Sequence, residues 1–267
     1  NLILTRLAPL IRQTSSFLPE LDQNEVELRF AEIMRVFLAD FKDPAAVMKK
    51  RGLAKVFVAN LSRTGLLAAK ALYTAGIGTI ITFDGTRVRQ PDTNELGYAP
   101  MAIGLTRHEA AKQHLGKKRE ELQLHTRLTD GLDRISAALL LANDVTDPAD
   151  YQVWMTRDVP HISICFTESG ANISQLVTPG VTPCLACSEI YRMQEDPNWL
   201  ATVTQLSQLD RDLADSVSML ASVSFAVRRI LNQIDNPTQE SGSPLEFISS
   251  TGELIEGVLP EANCGCR

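Results

Sequence analysis

Residues 56–85 read VFVANLSRTGLLAAKALYTAGIGTIITFDG. KVFVAN (55–60) is a short apolar run, the pattern of a buried strand. TGLLAAKALYTAG (64–76) has helical composition and is closed by Gly76; GTIITFD (78–84) is a second apolar run. Strand, helix and strand within roughly 30 residues form a parallel crossover, almost always right-handed. The first turn lies where a dinucleotide-binding unit carries G-x-G-x-x-G. There one glycine allows the bend, one admits phosphate to the backbone, and one lets helix and strand pack closely. Here those places hold Asn60, Ser62 and Gly65. Gly65 keeps the close packing. Asn60 tolerates positive φ better than most residues. Ser62 places a side chain where phosphate would approach, though its hydroxyl is a donor. The helix N-terminus adds N–H groups and partial positive charge. Asp84, at the end of the second strand, sits where a ribose hydroxyl would be bound, and an acidic residue after a strand is equally a common turn residue.

The alternation continues outward. Thr106 and Glu109 form a capping box that opens a helix. AALLLAN (137–143) and PHISICFTE (160–168) read as strands, with a helix starting near Pro148 between them. The fold expected is α/β: a Rossmann-like, doubly wound, mostly parallel sheet with helices on both faces. NISQLV is expected to be a further strand, followed by a turn holding a cysteine pair. Residues 208–233 repeat apolar side chains every three to four positions and predict one long helix. PLEFISSTGELIEGVLP (244–260) predicts a hairpin turning at Thr251-Gly252. Residues 1–50 form a small helical segment, with Asp43 as N-cap and Pro44 at the first helical position. The domain reading is therefore 1–50, helical and a candidate truncation, and 51–267, the Rossmann-like unit. NPTQESGSP (236–244) is the one plausible flexible loop.

At 267 residues the chain can bury a sizeable core. A net charge of −6 argues against a general nucleic-acid binder, which needs a basic footprint. No run of 18 apolar residues predicts a membrane span, and no secretion signal is visible. A cytoplasmic, reducing setting is expected. Four of the five cysteines form two tight pairs, Cys184/Cys187 and Cys264/Cys266. Such gaps are poor disulfide geometry and good metal-ligand spacing. Four thiolates would make a closed, structural zinc site that ties the C-terminus to the loop after the sheet; the alternative is free thiols. Cys165, inside an apolar strand, reads as a small buried hydrophobe. His161 reads as a packed strand residue, while His108 and His114 read as solvated.

The order of these parts carries a resemblance: the turn ending in Gly65, ITFDGTRV, GYAPMAIGLTRHEAA, VTPGVTPCLACSEIY and a closing CGC. Residues from about 50 to 267 resemble the ThiF/MoeB/HesA superfamily, which is like the adenylation domain of ubiquitin-activating enzymes. VTPGVTPCLACSEIYRMQEDPNWL looks closest to ThiF-like proteins of bacterial peptide-modification clusters that serve azoline/azole-forming cyclodehydratases. The resemblance implies ATP–Mg as cofactor in active members, beside structural zinc. It implies a precursor peptide or small carrier protein as partner, a possible partner enzyme and a homodimer. Asp84 matches the ribose-binding acid. Arg107 falls where active members carry a phosphate-contacting lysine, and the two residue types are not interchangeable there. Asn94 is a poor match to the Asn and Arg–Gln motif of the family, and Asp144 or Asp147 would be the metal-holding acid. No catalytic residue is assigned. Several parts of the ATP site depart together while the cysteine pairs match. An accessory, leader-peptide-binding role is therefore expected; an adenylyltransferase is the alternative.

Overall fold

The computed structural model describes residues 23–40, 42–115, 122–124, 134–237, 242–261 and 264–266. Residues 1–22 of the expected N-terminal segment, residues 238–241 of the expected loop and His125 lie outside them. Helices α1 (Gln23–Leu28), α2 (Phe30–Leu38) and α3 (Pro44–Leu53) lead into the sheet. Asp43 caps α3 by accepting from the Ala45 N–H at 3.0 Å. Asp43→Ala removes that acceptor and should cost about 1 kcal/mol, read as a lower denaturant midpoint with an unchanged slope. Arg51, fully buried near the end of α3, forks onto Asp235 with contacts of 2.9 and 2.6 Å and donates to the Ala75 carbonyl.

The sheet runs β3-β2-β1-β4-β5-β6-β7-β8. Strands β1 (Lys55–Val58), β2 (Thr79–Thr82), β3 (Leu122–Leu124), β4 (Ala137–Asn143) and β5 (His161–Thr167) are parallel. Strands β6 (Gly170–Ile173), β7 (Leu245–Ile248) and β8 (Glu253–Glu256) continue the sheet antiparallel. The mixed α/β sheet with a C-terminal antiparallel part is the architecture expected. Gly252 takes φ +73° in the β7–β8 turn, as the hairpin reading required.

Alternate residues of each strand feed two cores. Val56, Val58, Ile80, Leu139, Ile162 and Ile164 face α4 (Arg63–Thr74) and α9 (Ser216–Asp235). Phe57, Ile81, Ala138 and Leu140 face α6 (Pro148–Thr156) and α7 (Leu185–Glu195). Between these lie α5 (Arg107–His114), opened by the expected Thr106–Glu109 box, and α8 (Trp199–Leu206).

Two elements differ from the sequence reading. The long helix begins at Ser216, not near 208, because Asp215 accepts from the Val217 and Ser218 N–H groups and fixes its start. Leu209, Val217 and Leu220 belong to the apolar repeat yet are exposed; the buried face is Met219, Val223, Ala226, Val227, Ile230, Leu231 and Ile234. The strand expected over NISQLV occupies Gly170–Ile173. Its pairing with β5 runs back from a tight turn at Glu168 and Ser169, so it ends where NISQLV has hardly begun.

Candidate functional site

The carboxyl ends of β1, β2, β4 and β5 open into a cleft of ≈ 410 Å³ beside the β1/β4 switch in strand order. Open α/β sheets bind ligands at such a place. Asn60, Ser62, Asp84 and Arg107 line it, so four of the five residues singled out for a nucleotide converge there. Gly65 lies behind them. A Cβ on Gly65 would come 1.8 Å from the Asn60 carbonyl oxygen, so only glycine lets the helix leave the strand this way. Asn60 does not turn through positive φ. It shapes the bend with its side chain instead, accepting from the Ser62 N–H at 3.1 Å. Ser62 precedes α4 without capping it through its hydroxyl. Tyr98, fully buried, donates to the Leu61 carbonyl at 2.7 Å and pins the turn from beneath.

Asp84 is buried and fully engaged. One carboxylate oxygen accepts from the Thr86 N–H at 2.9 Å and the Thr86 hydroxyl at 2.5 Å. The other accepts from the Leu61 N–H at 2.8 Å and Arg107 Nη1 at 3.3 Å. A carboxylate has about four acceptor positions, and here all four are used. Burial opposes its ionisation, but the Thr86 and Leu61 hydrogen bonds, with Arg107 behind them, hold the carboxyl below its ordinary value. Arg107 is itself buried. Its Nη2 lies 2.7 Å from Asp92 Oδ1 and its Nε 3.2 Å from Asp92 Oδ2. One guanidinium is thus held between two carboxylates.

The roof of the cleft is the segment 210–214, which the sequence reading had placed in a helix. Arg211 forks onto Asp144 and reaches Glu168 at 2.5 Å. Arg63 meets Asp212 at 2.9 Å and the Ala214 carbonyl at 3.0 Å. Of the two acids considered for a metal, Asp144 is buried in this pair and Asp147 caps α6 through the Ala149 N–H. Asn94 is exposed and accepts from the Leu96 N–H in its own loop. The cleft lining carries four carboxylates, Asp84, Asp92, Asp210 and Asp212, against three guanidiniums, Arg89, Arg107 and Arg211. Asp92 and Arg211 were not anticipated from sequence. Each finds its partner only through the fold, Arg211 pairing with a residue 67 positions away.

A second constellation lies across the sheet. Cys184 precedes α7, Cys187 is in its first turn, and Cys264 and Cys266 come from the chain end. Their sulfurs all lie within 4.8 Å of one another, with contacts of 3.3, 3.3, 3.5 and 3.9 Å. A tetrahedral four-thiolate zinc site with bonds of about 2.3 Å needs sulfurs about 3.8 Å apart, whereas a disulfide needs about 2.05 Å. Gly265 takes φ +80°, which lets a one-residue gap present both flanking thiols to one centre. The donor set fits one ion with no coordination position left for substrate. Cys165 stands apart, buried on β5, and burial pushes its thiol up to about 12. His161 is packed and hydrogen-bonded to the Val159 carbonyl as expected. His108, expected to be solvated, is half-buried and contacts the Leu122 carbonyl, whereas His114 is exposed as expected and packs edge-on against Tyr98.

The fold aligns with the E. coli MccB structure containing AMPCPP and selenomethionine MccA at a TM-score of 0.73. The alignment has 14% identity and covers 92% of this chain and 74% of MccB. PaaA aligns at 0.68 with 18% identity, covering 90% of this chain and 84% of PaaA. The chain shares the fold of MccB and PaaA, in keeping with the resemblance drawn from the sequence. A curated relative, ubiquitin-like modifier-activating enzyme 5 of Caenorhabditis elegans, is 25% identical over 49% of this chain. The match spans 36% of that enzyme's length. No family model matches the chain. Among the described residues, no helix is long and apolar enough to cross a membrane.

Proposed function

We propose that this chain is an accessory component of peptide modification. It binds the leader of a precursor peptide, or a small carrier protein, and presents it to a partner enzyme of the cyclodehydratase type. The observation that carries the reading is the state of Asp84. A ribose hydroxyl needs a free carboxylate oxygen, and Thr86, Leu61 and Arg107 leave none. Arg107, at the place of a phosphate-contacting lysine, is spent on Asp84 and Asp92. The excess of carboxylates in the lining further opposes a triphosphate. The peptide side of the reading draws on MccB, described as a microcin C7 biosynthetic enzyme and solved with MccA. A zinc ion on Cys184, Cys187, Cys264 and Cys266 would serve the fold. A cytoplasmic homodimer completes the proposal.

The alternative is an adenylyltransferase acting on a peptide or protein carboxylate. The intact cleft at the switch point and the MccB structure with ATP favour it. There Asn60, Ser62 and Gly65 would cradle phosphate and Asp84 and Arg107 would face the nucleotide. Calorimetric titration of the folded, metal-loaded protein with ATP–Mg decides between them. The accessory reading expects no heat up to millimolar nucleotide. Micromolar binding that vanishes in Asp84→Ala would establish the alternative. The positive arm is selection from a displayed library of random peptides, with each selected sequence then titrated as a synthetic peptide.

A further inference from the structure

A second cavity, ≈ 290 Å³, lies on the sheet face opposite α9. Its floor crosses three strands. Cys165 on β5 pairs in register with Asn172 on β6, and Asn172 with Glu246 on β7. A thiol, an amide and a carboxylate thus stand in one row on one face. Ser163 lies two residues before Cys165 and shares that face. α7 forms one wall through Leu185 and Ser188, and the stretch after β8 forms the other through Val258 and Pro260. A strand face packed beneath a helix is ordinarily apolar. Here it holds a carboxylate.

Three charged side chains line the cavity: Glu189, Arg192 and Glu246. The first two satisfy each other. Arg192 Nη1 lies 3.0 Å from Glu189 Oε1, and the second Glu189 oxygen accepts from the Trp199 indole at 2.7 Å. The Arg192 guanidinium also sits over the Trp199 ring, 5.2 Å from its centre. Glu246 is left over. It is half-buried, and among the described residues it has no hydrogen-bond or ion-pair partner. Its own stretch, residues 242–261, holds four glutamates and no lysine, arginine or histidine. The lining therefore carries one net negative charge with no counter-charge from the described chain. A carboxylate part-way out of water draws a cation more strongly than one in full solvent.

We propose that this cavity is a binding site for an alkylammonium group, the end of a lysine side chain on a bound peptide, with Glu246 as its counter-charge. The proposal rests on the peptide-binding reading above and names the residue type that the peptide carries. An ammonium has three N–H donors and accepts nothing. Glu246 supplies the charged acceptor, and the Asn172 amide and the Ser188 hydroxyl bring neutral oxygens to the same lining. Tyr151 and Tyr191 also line the cavity, and aromatic rings favour cations. Leu185, Val258 and Pro260 offer the apolar surface along which the carbon stem of a lysine packs.

The probe is N-acetyl-lysine methylamide, titrated into the metal-loaded protein and followed by the side-chain amide resonances of Asn172, which are assigned by their loss in Asn172→Leu. Saturable shifts are expected at millimolar probe. N-acetyl-norleucine methylamide keeps a carbon stem and lacks the ammonium, and it should bind at least tenfold more weakly. Glu246→Gln, close to isosteric, should weaken the lysine probe by a similar factor. The norleucine comparison needs no variant, so the charge dependence is read even if Glu246→Gln fails to fold. Equal binding of the two probes, or lysine binding that Glu246→Gln leaves unchanged, would overturn the counter-charge. No shift at millimolar probe would overturn the site. A third probe, 1,5-diaminopentane, separates a side chain from a free amine. If the diamine binds in a Glu246-dependent way while the lysine probe does not, the peptide assignment falls. The library selection described above separates this site from the reading on which it rests. Peptides enriched in lysine that move the Asn172 resonances would support both. Peptides that bind without lysine and leave those resonances in place would keep the accessory reading and overturn this site alone.

Discussion

Stripping the metal from the folded protein should lower its thermal midpoint by roughly 8–15 °C. The four sulfurs come from two segments 77 or more positions apart, and an ion that gathers them binds the folded chain far better than the unfolded one. Isolated zinc-finger peptides draw about 10–16 kcal/mol from such a site because they have little else. This chain has two apolar cores on either side of an eight-stranded sheet, so most of its structure stands without the ion. A loss of about 4 kcal/mol is the reasonable scale, and in a chain of this size each kcal/mol moves the midpoint by about 2–4 °C. Calorimetric scans with metal content measured on the same samples make the test. Cys264→Ser should reproduce most of the loss and bind less than one ion per chain. Cys165→Ser should keep full metal content, because its sulfur lies outside the cluster. A midpoint that stays put while the ion leaves would mean that the cluster adds nothing to folding.

The central strands were legible because burial on both faces turns each into an uninterrupted apolar word. AALLLAN coincides with β4 from end to end. The cysteine cluster was legible because ligand spacing is local within each pair, even though the pairs meet only in the fold. β3 was not: three residues, one of them exposed, leave no periodic signal. The start of α9 was misplaced because apolar residues repeat through Leu209, Val217 and Leu220 without being buried, and a cap at Asp215 outweighs periodicity. The cleft was half legible. The turn and Asp84 follow from order along the chain, but the partners that consume them do not. Nothing in GLTRHEAA announces that Arg107 folds back onto Asp92, fifteen positions earlier. Nor does the run LDRD, which predicted helix, announce that Arg211 closes over Asp144.

Those consumed partners make Arg107 the most informative single position. Arg107→Ala should cost about 3–5 kcal/mol of stability, because it leaves two carboxylates, 3% and 6% exposed, without their shared cation. Arg107→Lys should recover only part of this, since an ammonium cannot fork onto Asp92 while also reaching Asp84. Urea melts of the three proteins check the order. The pH dependence separates Asp84 from the rest. Its folded carboxyl lies below the ordinary 3.8, so its stabilising contribution is complete above that value and is lost as pH falls through the lower, folded one. The larger favourable causes of that depression are the Thr86 and Leu61 hydrogen bonds, with Arg107 the smallest. The Asp84 part of the acid limb should therefore survive in Arg107→Ala and weaken in Thr86→Val. Arg107→Lys also bears on function, because it restores the residue type that active adenylating relatives are expected to carry. If the cleft is inert because of Arg107 alone, the lysine variant should gain ATP–Mg binding. If Asp84 is silenced by Thr86 and Leu61 as well, the variant stays inert, and the loss of nucleotide chemistry is built into the turn itself rather than into one side chain.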